Sequence, residues 1–225
     1  MSFKRIIIPE QFAKGEKLTK DLIGIGFRLQ GRGTKHPNIE DTIVAASIEG
    51  IEGDLRTLSL LVDWIDIHYL RINIDRLYRM LKAIPDKHTL AFWSAIATWK
   101  SADRRFKRIE GLYKGKRVDL LRTGTDFHIN RSGEDPRFES SCLRVPVRAG
   151  LRSRPDDILP PHQLAKHHLP YHYRLIIGPT YRADMWAQLE LNHNLTPAEI
   201  ARLSYGSFAT AWQVKNEWAV LHEAA

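Results

Sequence analysis

A single cysteine, Cys142, stands among the 225 residues. No internal disulfide can form, and a structural zinc site built from several cysteines is excluded. A reducing, cytoplasmic setting is the expectation. Long apolar runs are missing too. The longest, such as residues 58–62, are soon interrupted by charge, far short of the roughly 20 residues that span a bilayer. The isoleucines at 6–8 follow a basic pair but are too few for the apolar part of a signal peptide. The glycine-rich string 24–33 lacks the Lys-Ser/Thr ending of a phosphate loop and the spacing of a dinucleotide turn. Ser140-Ser141-Cys142 has no flanking elbow glycines, so Cys142 reads as a small apolar residue. Fixed-period repeats are absent as well.

Positive charge is plentiful. The net charge is +8 with a pI near 9.6, and it is unevenly spread. Residues 1–37 carry +5, residues 38–99 carry −3, residues 100–154 carry +8 and residues 155–225 carry −2. A concentrated basic segment points to a polyanion partner; a basic solvated surface is the plain alternative. Within it, Lys100, Arg104, Arg105 and Arg108 fall on one face of a helix predicted to start near Ser101. With Lys114, Lys116 and Arg117 they form a set suited to neutralising phosphates without reading sequence.

The chemistry-bearing clusters lack the spacing of a site. His162, His167, His168 and His172 lie near Asp156 and Asp157, but Pro160, Pro161 and Pro170 make the segment irregular and the spacing fits no metal-binding helix. Asp119, Asp126 and Lys114 lack the Asp/Glu-x-Lys unit of a nuclease. The reading is therefore no catalytic residue, no metal and no cofactor.

The expected fold is mainly α with a small antiparallel β-sheet. Residues 1–37 read as a basic, glycine-rich arm, mobile or strand-forming. Residues 38–150 read as a helical domain. Asn38, Asp54 and Asn73 are placed to cap successive helices, Gly50 and Gly53 to break the chain after the first, and Pro85 to end the third. A fourth helix over about 88–99, apolar on more than one face, is expected at the centre. Alternating runs at 117–121 and 126–130 around Gly124 predict a β-hairpin; residues 143–147 add a short strand that Pro146 confines to an edge. Residues 151–173 read as a linker.

Residues 174–225 carry the clearest local grammar. A helix over 182–191 is followed by Thr196-Pro197-Ala198-Glu199, a capping box with proline at the first helical position. A short helix, a turn at Ser204-Tyr205-Gly206 and a longer helix capped by Ser207 complete a predicted helix-turn-helix. Ser207, Thr210, Gln213 and Lys215 are the side chains of the third helix suited to base edges or phosphates. Packing or dimerisation is the alternative use of such a module.

The stretches 178–186, 195–202 and 207–211 (Gly-Pro-Thr-Tyr-Arg-Ala-Asp-Met-Trp, Leu-Thr-Pro-Ala-Glu-Ile-Ala-Arg and Ser-Phe-Ala-Thr-Ala) resemble bacterial winged-helix regulators that accompany nucleotidyltransferase toxins, the abortive-infection type IV antitoxin group. The resemblance covers about the last fifty residues. It implies a DNA-binding transcription regulator that represses its own operon and opposes a toxin. The expected partners are double-stranded DNA, a toxin or other protein, and a second copy of the chain. A non-enzymatic interaction subunit of a toxin-antitoxin or phage-defence complex is the alternative function.

Overall fold

The computed structural model describes residues 7–222, and most of them are helical; Lys4, Arg5 and Ile6 of the expected arm lie outside. Where a cap residue precedes an apolar periodic run, a helix starts as expected. Asn38 accepts the Asp41 N–H ahead of α2 (Ile39–Glu52). Asp54 does the same for α3 (Leu55–His68) and Asn73 for α4 (Ile74–Leu81). Asp86 caps α5 (Lys87–Trp99), which is buried along seven consecutive residues, Ala91 to Ala97, and is central to the fold. Gly50 does not break α2. It lies inside the helix, and a Cβ there would meet Leu58 of α3, so glycine serves the close helix contact.

The arm is not free. Residues 15–24 form α1 (Gly15–Gly24), and Leu18 and Leu22 are buried in the main core. The linker is likewise folded. Residues 151–176 hold a 3₁₀ turn (Pro155–Asp157), α8 (Pro161–His167) and α9 (Leu169–Ile176). Ile158, Leu164 and Tyr171 belong to the same core. The prolines sit at helix starts, where a missing N–H is harmless, so turn-like composition concealed helices.

The basic helix expected from Ser101 is also different. Asp103 caps a 3₁₀ turn (Arg104–Phe106), which leads into the single-turn α6 (Lys107–Glu110). Lys100 instead ends α5. The predicted hairpin is absent. Residues 126–130 fall in α7 (Thr125–Ser132), entered through the left-handed Gly124. Two short strands, β1 (Val118–Asp119) and β2 (Leu143–Arg144), pair in parallel, with Val118 opposite Leu143. A parallel pair needs a crossover rather than a tight turn, and α7 lies within it.

The C-terminal unit follows expectation more closely. α10 (Tyr181–Leu191), α11 (Pro197–Leu203) and α12 (Phe208–His222) enclose a second, small core of Met185, Leu189, Ile200, Ala201, Ala211 and Val214. The capping box is complete: Thr196 and Glu199 exchange hydrogen bonds. Gly206 permits the turn before α12, since a Cβ there would collide with Met185.

A buried ionic cluster joins this unit to the main body. Arg174 of α9 bonds both oxygens of Glu40 (2.7 and 2.9 Å) and both of Asp184 (2.8 Å each). Arg76 bonds Asp41 at 2.5 Å and lies 3.8 Å above the Tyr205 ring, whose hydroxyl donates to Asp41 at 2.8 Å. Burial raises the Glu40 carboxyl, but Arg174 and Arg76 outweigh it and hold it below the usual carboxylate range. The Arg174 guanidinium is desolvated, yet Asp184 and Glu40 keep it firmly charged. Among the described residues no helix is long and apolar enough to cross a membrane.

Candidate nucleic-acid interface

The predicted cations divide into two groups. Arg104, Arg105 and Arg108 stay together, because the Asp103 cap folds them into one compact turn. Arg105 is anchored by two-pronged contacts to Asp103, closing to 2.6 Å; the guanidinium holds that carboxyl below its ordinary range. Arg108 is more than half exposed, lies 4.3 Å over the Tyr78 ring and reaches Asp75 at 3.3 Å. Arg105 is common to two adjoining concavities. One, about 430 Å³, is lined also by Arg71 and Arg104; the other, about 470 Å³, by Asn73, Arg108 and Thr180.

The other cations lie apart from this wall. Lys100 is largely buried, on the Asp66 carboxylate and 3.6 Å over Trp99. Lys114 and Lys116 are exposed on the loop before β1. Arg117 is bound to Glu134 and to the Ser141 and Leu143 carbonyls. It faces a cleft with Arg122 and Arg144 rather than the arginine wall. The helical stripe that grouped Lys100 with Arg108 does not exist, because the chain changes from α to 3₁₀ between them.

Sequence reasoning missed Arg71, Arg79 and Lys82. Arg79 bonds Asp75 at 2.9 Å, and Lys82 lies 5.8 Å from the Tyr78 ring that Arg108 also covers. They sit on or beside α4, in a segment of negative net charge. Arg108 meets them by lying over Tyr78 and reaching Asp75, and Arg105 by bonding the Leu70 carbonyl. The one sequence signal was the i,i+4 pairing of Asp75 with Arg79.

A chain of contacts connects this wall to the start of α12. Arg108 touches Asp75; the Tyr181 hydroxyl donates to Asp75 at 3.2 Å. The Tyr181 Cβ lies 3.6 Å from where a Gly206 Cβ would be, and Ser207 follows directly. Burial raises Asp75, but Arg79, Tyr181 and Arg108 overcome this and lower it.

The outer face of α12 differs from expectation. Ser207 accepts the Thr210 N–H at 3.1 Å and its hydroxyl meets that of Thr210 at 2.7 Å. Lys215 donates to the Leu195 carbonyl at 2.7 Å. Three of the four predicted reading side chains are thus occupied within the module, and Gln213 is exposed. Trp212 is 52% exposed on the same helix, with Val220 and Leu221 further along.

The histidine cluster is dispersed. His168 is fully buried, donates Nε2–H to the Pro37 carbonyl at 2.8 Å and accepts the Tyr171 N–H. Among the described residues no group of three or more His, Cys, Asp or Glu is arranged to hold a metal ion. Cys142 is half-buried with its thiol on the Ala91 carbonyl, and burial pushes its pKa up, away from the reactive thiolate. No family model, curated protein or solved structure matches the chain.

Proposed function

We infer that the protein binds double-stranded DNA as a transcription regulator, gripping phosphates with the Arg71, Arg104, Arg105 and Arg108 wall and presenting α12 to a groove. The observation that carries this is the bridge at Asp75, which Arg108 of the wall and the Tyr181 hydroxyl of the three-helix unit share. Phosphate contacts then supply most of the affinity and set the orientation. Gln213 is the side chain suited to adenine, and Trp212 offers apolar contact. With Ser207, Thr210 and Lys215 occupied, base discrimination is modest. The antitoxin-like, autoregulatory role implied by the resemblance is compatible with such a module.

Fluorescence anisotropy with labelled duplexes across a salt series tests this. Binding should fall steeply as salt rises, with a logarithmic slope of roughly 0.9 per phosphate contacted. Changing Arg104, Arg105 and Arg108 together to Ala should weaken all duplexes alike and flatten that slope. Changing Lys114 and Lys116 should have little effect. Absence of binding even at low ionic strength would refute the reading.

A second reading, a protein-interaction subunit, is favoured by a different observation. Exposed large hydrophobic side chains concentrate between Leu175 and Leu221, including Ile176, Leu191, Leu203 and Trp212. Such concentration suits a protein partner, a toxin or a second copy. Recovery of one stoichiometric partner from the native host, lost in Trp212→Ser, would favour it over DNA binding.

A further inference from the structure

We propose that the start of α9 is a histidine-held joint, which opens when its imidazoles take up protons and lets α9 swing out together with the three-helix unit. It does not depend on what the arginine wall binds.

Three imidazoles gather at this helix start. His168 caps α9: its Nδ1 accepts the Tyr171 N–H at 3.1 Å, while its Nε2–H donates to the Pro37 carbonyl at 2.8 Å. His36 adds a second cap, its Nδ1 accepting the Leu169 N–H at 3.1 Å. The two rings meet edge to face, 5.8 Å apart. His68 of α3 completes the set. Its Nδ1 accepts the Tyr171 hydroxyl at 2.7 Å, and its Nε2–H goes to the Leu159 carbonyl at 3.0 Å. An imidazolium carries hydrogen on both nitrogens and accepts nothing. Each protonation therefore sets two donors against each other at a bond that holds α9. At His36 and His168 it also places positive charge at a helix N-terminus, which the helix dipole opposes.

The charges around the joint do not offset this. Burial lowers all three imidazoles, His68 and His168 to about 4; Lys35 adds to it at His36 and Arg174 at His168. Burial pushes the Tyr171 hydroxyl up to about 12, against Arg71 and Arg174, so it stays a donor. Lys166 and His167 at the end of α8, and His172 on α9, are exposed. Three carboxylates lie further along α2 and α10, and all are bonded: Glu40 and Asp184 to Arg174, Asp41 to Arg76 and Tyr205. Burial raises Glu40, but Arg174 and Arg76 hold it low; burial raises Asp41 and Asp184.

Contacts on the other face of α9 decide what moves with it. Tyr173 stacks on Trp186 and its hydroxyl donates to Glu190 at 3.3 Å. Arg174 grips Asp184 of α10. The three-helix unit has its own small core, so α9 and the unit leave together, and the Glu40 and Asp41 contacts open to water. Parted from the body, an eight-residue helix is marginal.

Hydrogen exchange read by mass spectrometry at pH 7 and 5, with intrinsic amide rates divided out, tests the joint in the full chain. The comparison protein is the double variant His36→Asn/His168→Asn. Asparagine caps helices and tolerates the left-handed backbone of residue 36, φ 50°. It keeps both acceptors with no proton to gain. Glu40, Asp41 and Asp184 stay in both proteins, so the difference between them isolates the imidazoles. A histidine at about 4 when docked and 6.5 when free weakens docking about 20-fold between pH 7 and 5. Protection over 169–176 should fall at least that much further in the wild type than in the variant, while residues 39–99 keep theirs. Small-angle scattering should show the wild type expanded at pH 5. Equal loss in both proteins, loss over 39–99 as large as over 169–176, or a constant radius of gyration would overturn the proposal. If the double variant does not fold, His36→Asn alone decides: its loss at pH 5 should be smaller than the wild type's, and an equal loss would overturn the joint.

Discussion

Two buried histidines set the acid response of the fold. His68 accepts the Tyr171 hydroxyl at 2.7 Å through Nδ1 and donates Nε2–H to the Leu159 carbonyl at 3.0 Å. His168 is placed similarly between Tyr171 and Pro37. Burial lowers each to about 4, from an ordinary value near 6.5. Between those values the unfolded chain binds protons that the folded chain refuses. Their neutral forms therefore stabilise fully above pH 6.5, and this is lost as pH falls toward 4, on the order of 3 kcal/mol per histidine at the limit. Urea midpoints measured from pH 7 to 4.5 should fall, and less so in His68→Asn or His168→Asn. At the same scale, Arg174→Met leaves Asp184 buried without its bonded cation and removes both of its hydrogen bonds to the Glu40 carboxylate. Of its cations Glu40 keeps only Arg76, 3.9 Å away, and the change should cost about 3–5 kcal/mol in urea unfolding. Adding Glu40→Gln and Asp184→Asn should restore much of the loss, because the orphaned charges go with it. Both arginines and their carboxylates stand in the sequence as ordinary polar residues; nothing local marks them as buried.

Helices were legible wherever their signals act over three or four residues. The Asn38, Asp54, Asn73 and Thr196 caps each reach an N–H two or three positions ahead. Thr196→Ala should therefore cost about 1 kcal/mol, seen as a lower urea midpoint, since the capping box is exposed and local. Gly206→Ala should cost more than that, because Met185 would have to move within the small core. The same measurement separates the two. The strands were misread for the opposite reason. Alternation over 126–130 is too short to exclude a helix, and the true partner of residues 118–119 lies about 25 positions on, beyond any local rule. α8 and α9 were hidden by prolines that composition assigns to loops.

For the whole molecule the issue is how the two cores and the charge are arranged. The Glu40–Arg174–Asp184 cluster ties the three-helix module to the body through buried contacts, so the module's orientation to the arginine wall is fixed by the fold. Part of the candidate site was visible beforehand: Arg104, Arg105 and Arg108 were identified from charge, and α12 from its grammar. Arg71 and Arg79 were not, because they lie in a net acidic stretch and meet the wall only through contacts made by Arg105 and Arg108. Lys100, Lys114, Lys116 and Arg117 were included on charge density, which does not tell a paired or distant cation from a convergent one.

Residue order alone settled where most helices begin, that the C-terminal fifty residues form three of them, and which segment is rich in arginine. Those are short-range matters of backbone capping and apolar period. Which arginines share a wall, which are consumed by carboxylates and which histidines meet at the start of α9 came from the folded chain. Arg105 with Asp103 and Arg79 with Asp75 are local pairs, but the contacts that assemble the wall and the buried cluster join residues from 33 to 164 positions apart, and no local pattern encodes such pairings.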